Sequence, residues 1–272
     1  MAILDSSAAW HGAQRMVRAN RDMLVAVAGV FFLLPELIGA VVLPVPQLTK
    51  GMDQQQMADA VLRFYSATGP LLIVLSLPLV LGFLTLLAIL IDPDRPTVGT
   101  AIVQAARLLP GYMLAQMIIA VALTMLWITA IAGLSLVLPQ PAAVAASLVL
   151  MVYPLVRVVL IGPEMVARRL RNPIRAIAGA LTLTRGKFTA LLLFFGPALA
   201  LFVVVYALVS IGAALALANL ANEETRRLIG EAVGAVLLAV GHTYFAAMVA
   251  STWHQLGPVD GADTAISPFT PR

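Results

Sequence analysis

The chain has 272 residues, 61% of them apolar and only 11% charged, with a formal net charge of +4 and a mean hydropathy of +0.97. A soluble domain carries about 25% charged residues, so this chain has too few to cover a globule in water, and it is far too apolar to be disordered. It contains no cysteine, which excludes disulfides, thiolate chemistry and Cys-based metal sites.

A helix needs about 20 apolar residues to cross roughly 30 Å of hydrocarbon. Six runs satisfy this: 23–43, 70–91, 111–138, 142–162, 188–220 and 229–251. The expected fold is therefore an all-α integral membrane protein with six transmembrane helices. The first run carries Pro35-Glu36 in its middle and is too long for the apolar core of a signal peptide, so it reads as a span. Between the first two runs lies a loop, 44–69, in which Asp53 and Gln56 form a capping-box-like start and Met57, Val61, Phe64 and Thr68 continue one face. The spacing predicts a short helix lying on the outer surface. The third and fourth runs are separated by Pro139-Gln140-Pro141 and form a tight hairpin, while Gly196-Pro197 would bend the long fifth run. The tail 255–272, rich in Gly, Pro and Asp, is expected to be mobile.

Lys and Arg set the orientation. With both termini inside, twelve of the seventeen fall on the cytoplasmic side, four (Lys50, Arg63, Arg226, Arg227) outside, and Arg157 within a span. This predicts a multi-pass protein of the bacterial inner membrane with cytoplasmic N- and C-termini.

A threefold repeat accompanies the spans, over 6–91, 97–162 and 172–252 of a single membrane domain, 1–254. Each unit begins with an amphipathic segment: Trp10, Ala13, Val17 and Leu24 share a face in the first; Val98, Ile102, Ala105 and Leu109 in the second; Ile174, Ile177, Ala178 and Leu181 in the third. Asn172 and Pro173 supply an N-cap and a first helical residue to the third. Each unit reads as a surface helix followed by a transmembrane hairpin. The helix either lies in the headgroup plane or packs on the bundle.

Three ionisable or polar groups fall inside spans, where such groups are costly and face the bundle interior. Glu36 suits a proton, cation or headgroup contact, or a structural carboxyl at the Pro35 break. Arg157 suits a phosphate or carboxylate partner, or snorkelling to the interface. His242 lies at the depth of Arg157, so these two could border one polar cavity, with Glu36 roughly 10 Å away along the membrane normal. A lone histidine makes a poor metal site, and no metal or cofactor is expected. The cluster Arg168, Arg169, Arg171, Arg175, Arg185 and Lys187 fits anionic-lipid contact, at about 1 kcal/mol per charge, as well as the plain positive-inside signal. Lying against a membrane, it does not suit nucleic acid. Phosphate-loop, nucleophile-elbow, zinc-protease and dinucleotide fingerprints are absent from the sequence.

The stretch Tyr153-Pro154-Leu155-Val156-Arg157, then Gly162-Pro163-Glu164-Met165-Val166-Ala167, then Asn172-Pro173 through Leu183-Thr184-Arg185-Gly186, resembles a bacterial inner-membrane family. That family is the membrane domain of glycerophosphoryl diester phosphodiesterases, to which the YciC-type proteins of unknown function are similar. Its pattern reads Ser-Trp-x-Leu-Thr-x-Gly before the fifth span; here Ala180 and Leu181 stand at the Ser-Trp positions, while Leu183, Thr184 and Gly186 fit. The resemblance implies a non-catalytic membrane module. The expected function is non-enzymatic, in envelope or lipid homeostasis, through contacts with membrane lipids or a protein partner. The alternative is a transporter or channel for a lipid-like or small substrate that uses Glu36, Arg157 and His242.

Overall fold

The computed structural model describes residues 4–44, 53–94, 96–218 and 222–257. Expectations for the tail beyond 257, the loop at 45–52, Lys50, Arg95 and Arg272 lie outside these residues. The described chain folds into helices: α1 (Ser6–Ala19), α2 (Arg21–Ala28), a π-helical turn (Gly29–Leu33), α3 (Leu34–Val42), α4 (Gln54–Ile91), α5 (Val98–Leu134), α6 (Gln140–Val158), α7 (Ile161–Ala167), α8 (Pro173–Leu183), α9 (Phe188–Leu217) and α10 (Glu223–Leu256). Six helical stretches are long and apolar enough to cross a bilayer, each coinciding with one of the expected runs. The molecule is a polytopic membrane protein.

Prolines explain most of the local departures from plain α-helix. Pro35 lacks an N–H, and its ring crowds the carbonyl four residues back. The chain widens just before it into a π turn, in which the Leu34 N–H reaches back to the Gly29 carbonyl. Pro163 falls in the first turn of α7, where a missing N–H costs nothing. The fourth crossing accordingly breaks after Val158 and restarts at Ile161, instead of running unbroken to Gly162. Pro139 and Pro141 start α6 and close the expected hairpin, which Trp127 Nε1 pins by donating to Ser147 Oγ at 3.1 Å.

Two further expectations change. The outer segment after Asp53 does not form a separate surface helix. The capping box is present, but α4 runs without interruption through Pro70 and Pro78 to Ile91. At 1.5 Å per residue, its 38 residues span about 57 Å, well beyond a bilayer core. Met57, Val61, Leu62 and Tyr65 on this extension are exposed. Likewise, the second amphipathic segment is the first three turns of α5, continuous through Pro110. In both places the helix absorbs its prolines. The fifth crossing, too, stays helical through Pro197.

α4 and α10 are central, with 39% of their most apolar windows buried against 6% for α5 and α9. Burial gathers at one end of the bundle: Leu84 to Ile91 of α4, Ala101 to Ile119 of α5, α7, and Ala246 to Leu256 of α10. This is also the arginine-rich end, called here the basic end. The other end of each long helix exposes Leu, Val and Ile, the side chains that lipid solvates.

The three amphipathic segments all lie at the basic end, and each buries two alanines four residues apart: Ala9 and Ala13, Ala101 and Ala105, Ala176 and Ala180, none more than 1% exposed. The small faces allow close helix approach. α1 lies along α10, with Ser251 Oγ donating to the Ala9 carbonyl at 2.8 Å and Asp5 and Gln255 bonded to each other. Its Trp10 and Val17, expected on an apolar face, pack against the core.

Candidate functional site

α8 and its supports make up the most elaborate polar structure among the described residues. Asn172 caps α8 by accepting from the Ile174 and Arg175 N–H groups, and Pro173 follows at the first position. Ala176, Gly179 and Ala180 face the bundle, while Ile174, Ala178 and Leu181 stay exposed in a stripe beside Arg175 and Thr182. The helix thus has three sectors: a small one against protein, a large apolar one, and a polar one.

Arg157 fixes the end of this helix. Its Nε donates to Thr184 Oγ1 at 3.0 Å, Nη2 to the Leu181 carbonyl at 2.7 Å, and Nη1 to Tyr153 Oη at 2.8 Å. Thr184 Oγ1 lies within bonding distance of the Arg157 and Ala180 carbonyls. A cation at a helix C-terminus satisfies a carbonyl left over from the helix ladder and complements the dipole. Among the described residues Arg157 has no carboxylate partner.

Glu164, which the sequence reading did not single out, anchors the middle of α8. Its carboxylate is fully buried in α7, directly beneath Gly179. Oε2 accepts from Trp253 Nε1 of α10 at 3.2 Å. Oε1 lies 2.8 Å from Arg168 Nε as an ion pair, off the angle of a hydrogen bond, and has no other donor among the described residues. One side chain therefore ties α7, α8 and α10 together. The signal for it was a carboxylate inside an apolar run, the same signal that drew attention to Glu36.

The six clustered cations divide. Arg168 pairs with Glu164. Arg169 reaches Asp92 Oδ2 at 3.3 Å and Asp94 Oδ2 at 3.6 Å, joining the α7–α8 turn to the α4–α5 turn. Its backbone is left-handed, φ +51°, closing α7 with Leu170 N–H on the Met165 carbonyl and Arg169 N–H on that of Val166, a Schellman arrangement that glycine normally fills. Arg171, Arg175 and Arg185 are exposed and make no ion pair among the described residues. Lys187 is half-buried at the start of α9, and desolvation lowers its pKa below the usual lysine value.

His242 bonds through Nδ1 to the Leu238 carbonyl at 2.8 Å and stacks on the fully buried Phe32 of the π turn, ring centres 5.1 Å apart. Glu36 is half-buried one helical step beyond, with no hydrogen bond or ion pair among the described residues. No hydrogen bond or ion pair joins any two of Glu36, Arg157 and His242: Arg157 serves α8, and His242 serves the contact of α10 with the first crossing.

The chain matches no protein-family model, no curated protein and no solved structure.

Proposed function

We propose that this chain is a non-enzymatic protein of a bacterial inner membrane, with both termini cytoplasmic, that acts in envelope or lipid homeostasis by holding anionic lipid or a membrane partner against its basic end. The observation that carries the reading is α8. It is clamped to the bundle by Arg157 and Glu164, yet presents Ile174, Ala178 and Leu181 outward beside Arg175 and, at its end, Arg185. An apolar stripe flanked by arginine is the pattern of a helix seated at the headgroup level. Residues this firmly positioned serve recognition better than a loop would. The excess of Lys and Arg at this end supports the orientation. The three Ala pairs support a repeat of surface segment plus hairpin, as does the resemblance to the non-catalytic membrane module. The commitment of Arg157 and His242 to helix packing weighs against a translocation site shared with Glu36.

Native mass spectrometry of the protein released from membranes tests the reading. Retention of anionic phospholipid or of a partner subunit is expected. A bare polypeptide, with neither, overturns it.

A further inference from the structure

A cleft of about 520 Å³ opens between the first turns of α5 and the α7–α8 turn, walled by Val103, Gln104, Arg107, Arg169 and Arg171 among others. Its size suits a small polar headgroup. Three guanidinium groups border it. Arg169 shares its charge with Asp92 and Asp94, but Arg107 and Arg171 make no ion pair among the described residues. Gln104 stands on the same wall. Its Nε2 is closed off from solvent and donates to nothing among the described residues. That nitrogen is therefore out of reach of anything in the cleft, which Gln104 borders with the rest of its side chain. Gln104 precedes Ala105 as Gly12 precedes Ala13 and Gly179 precedes Ala180. In those two segments the small residue admits a neighbour's side chain, Ser251 and Glu164 respectively. In α5 the same position carries an amide.

We propose that this cleft binds a phosphate group, gripped by Arg107 and Arg171. Arginine forks match phosphate oxygens, and two guanidiniums without a carboxylate partner among the described residues suit an anion. The proposal deepens the reading above and rests on it for the level of the site: Arg107 lies one turn before Gly111, where the third crossing begins, so the cleft opens at headgroup depth. The turn that carries Arg171 is set close against α5, because a Cβ at Gly111 would lie 2.5 Å from the Arg171 carbonyl oxygen. The phosphate belongs either to a lipid headgroup or to a water-soluble phosphate ester.

The test titrates the detergent-purified full chain with dioctanoyl phosphatidic acid, dioctanoyl phosphatidylcholine, glycerol phosphate and inorganic phosphate. The double variant Arg107→Ala/Arg171→Ala is expected to weaken phosphatidic acid binding by at least about tenfold, the scale of one lost charge-assisted contact. Val103→Trp, at an exposed position, blocks the cleft with every charge in place and also abolishes binding. The variant Arg226→Ala/Arg227→Ala, at the other end of the bundle, binds as the wild type does, whereas Arg175→Ala/Arg185→Ala reports any binding to α8 itself. Phosphatidic acid binding far tighter than glycerol phosphate assigns the site to lipid, and equal binding assigns it to a soluble ester. Wild-type binding that survives Val103→Trp and is lost with Arg175 and Arg185 overturns the cleft and leaves the broader reading standing. A wild-type protein that retains lipid from membranes but binds none of the phosphate probes also overturns it.

Discussion

A methyl group placed on Gly179 would stand 2.5 Å from Glu164 Oε1 and 3.0 Å from its Cδ. That carboxylate is fully buried and its other oxygen is held by Trp253 Nε1, so it has little room to retreat. Gly179→Ala should therefore lift α8 off α7, at a cost of about 1–3 kcal/mol. The measurement is thermal unfolding in micelles. Gly212→Ala in α9, where nothing lies within 4 Å of the added carbon, is the control and should be neutral or slightly stabilising.

Arg157→Lys keeps the charge but not the fork. One ammonium cannot serve Thr184, Leu181 and Tyr153 at once in the geometry that Nε, Nη1 and Nη2 provide. Amide hydrogen exchange across 181–186 should accelerate in this variant. Unchanged protection there would show that Arg157 does not secure the end of α8.

Arg169 combines an unfavourable backbone with favourable ion pairs. A non-glycine residue in the left-handed region costs about 1–2 kcal/mol, which glycine avoids. Arg169→Gly should be close to neutral, because relief of strain offsets the lost pairs with Asp92 and Asp94. Arg169→Ala keeps the strain, loses the pairs, and should be the less stable of the two in the same melting experiment.

Lys187 gives a pH dependence of definite sign. Desolvation lowers its folded pKa, so the unfolded chain holds the proton more tightly. Folding is penalised while the amine stays charged, and the penalty fades as pH rises through the lowered value toward the ordinary one. Relative to Lys187→Gln, the wild type should gain stability between neutral pH and about 10.5, the ordinary lysine value. A difference that stays flat over that range would contradict this.

Because the chain lacks cysteine, single replacements can be labelled without background. Cysteines at Arg18 and Arg175 should react from the same side of the membrane, and one at Tyr65 from the other. Impermeant reagent applied to sealed inverted vesicles distinguishes the two sides.

The crossings were legible because hydropathy over about 20 residues depends only on what lipid demands of a side chain. The break in the fourth crossing and the continuity of α4 and α5 were harder, because Pro70, Pro78 and Pro110 are absorbed while Pro163 starts a helix. Whether a proline ends a helix depends on the neighbours that shelter the freed carbonyl, which the local sequence does not contain. The polar groups illustrate the same limit. Arg157 could be placed at a depth, but its partners lie 24 and 27 residues away. Glu164 is buried because Gly179 and Trp253 close over it from two other helices.

The wide turn at Gly29–Leu33 sets the phase of everything beyond it in the first crossing. Its extra residue turns the downstream helix by about 100° relative to uninterrupted winding. Removing one residue there would restore ordinary coiling and swing Glu36 round the axis while leaving Arg21 and Leu24 where they are. The direction in which that carboxyl faces is thus governed by a chain-length choice several residues upstream, made against the ring of His242.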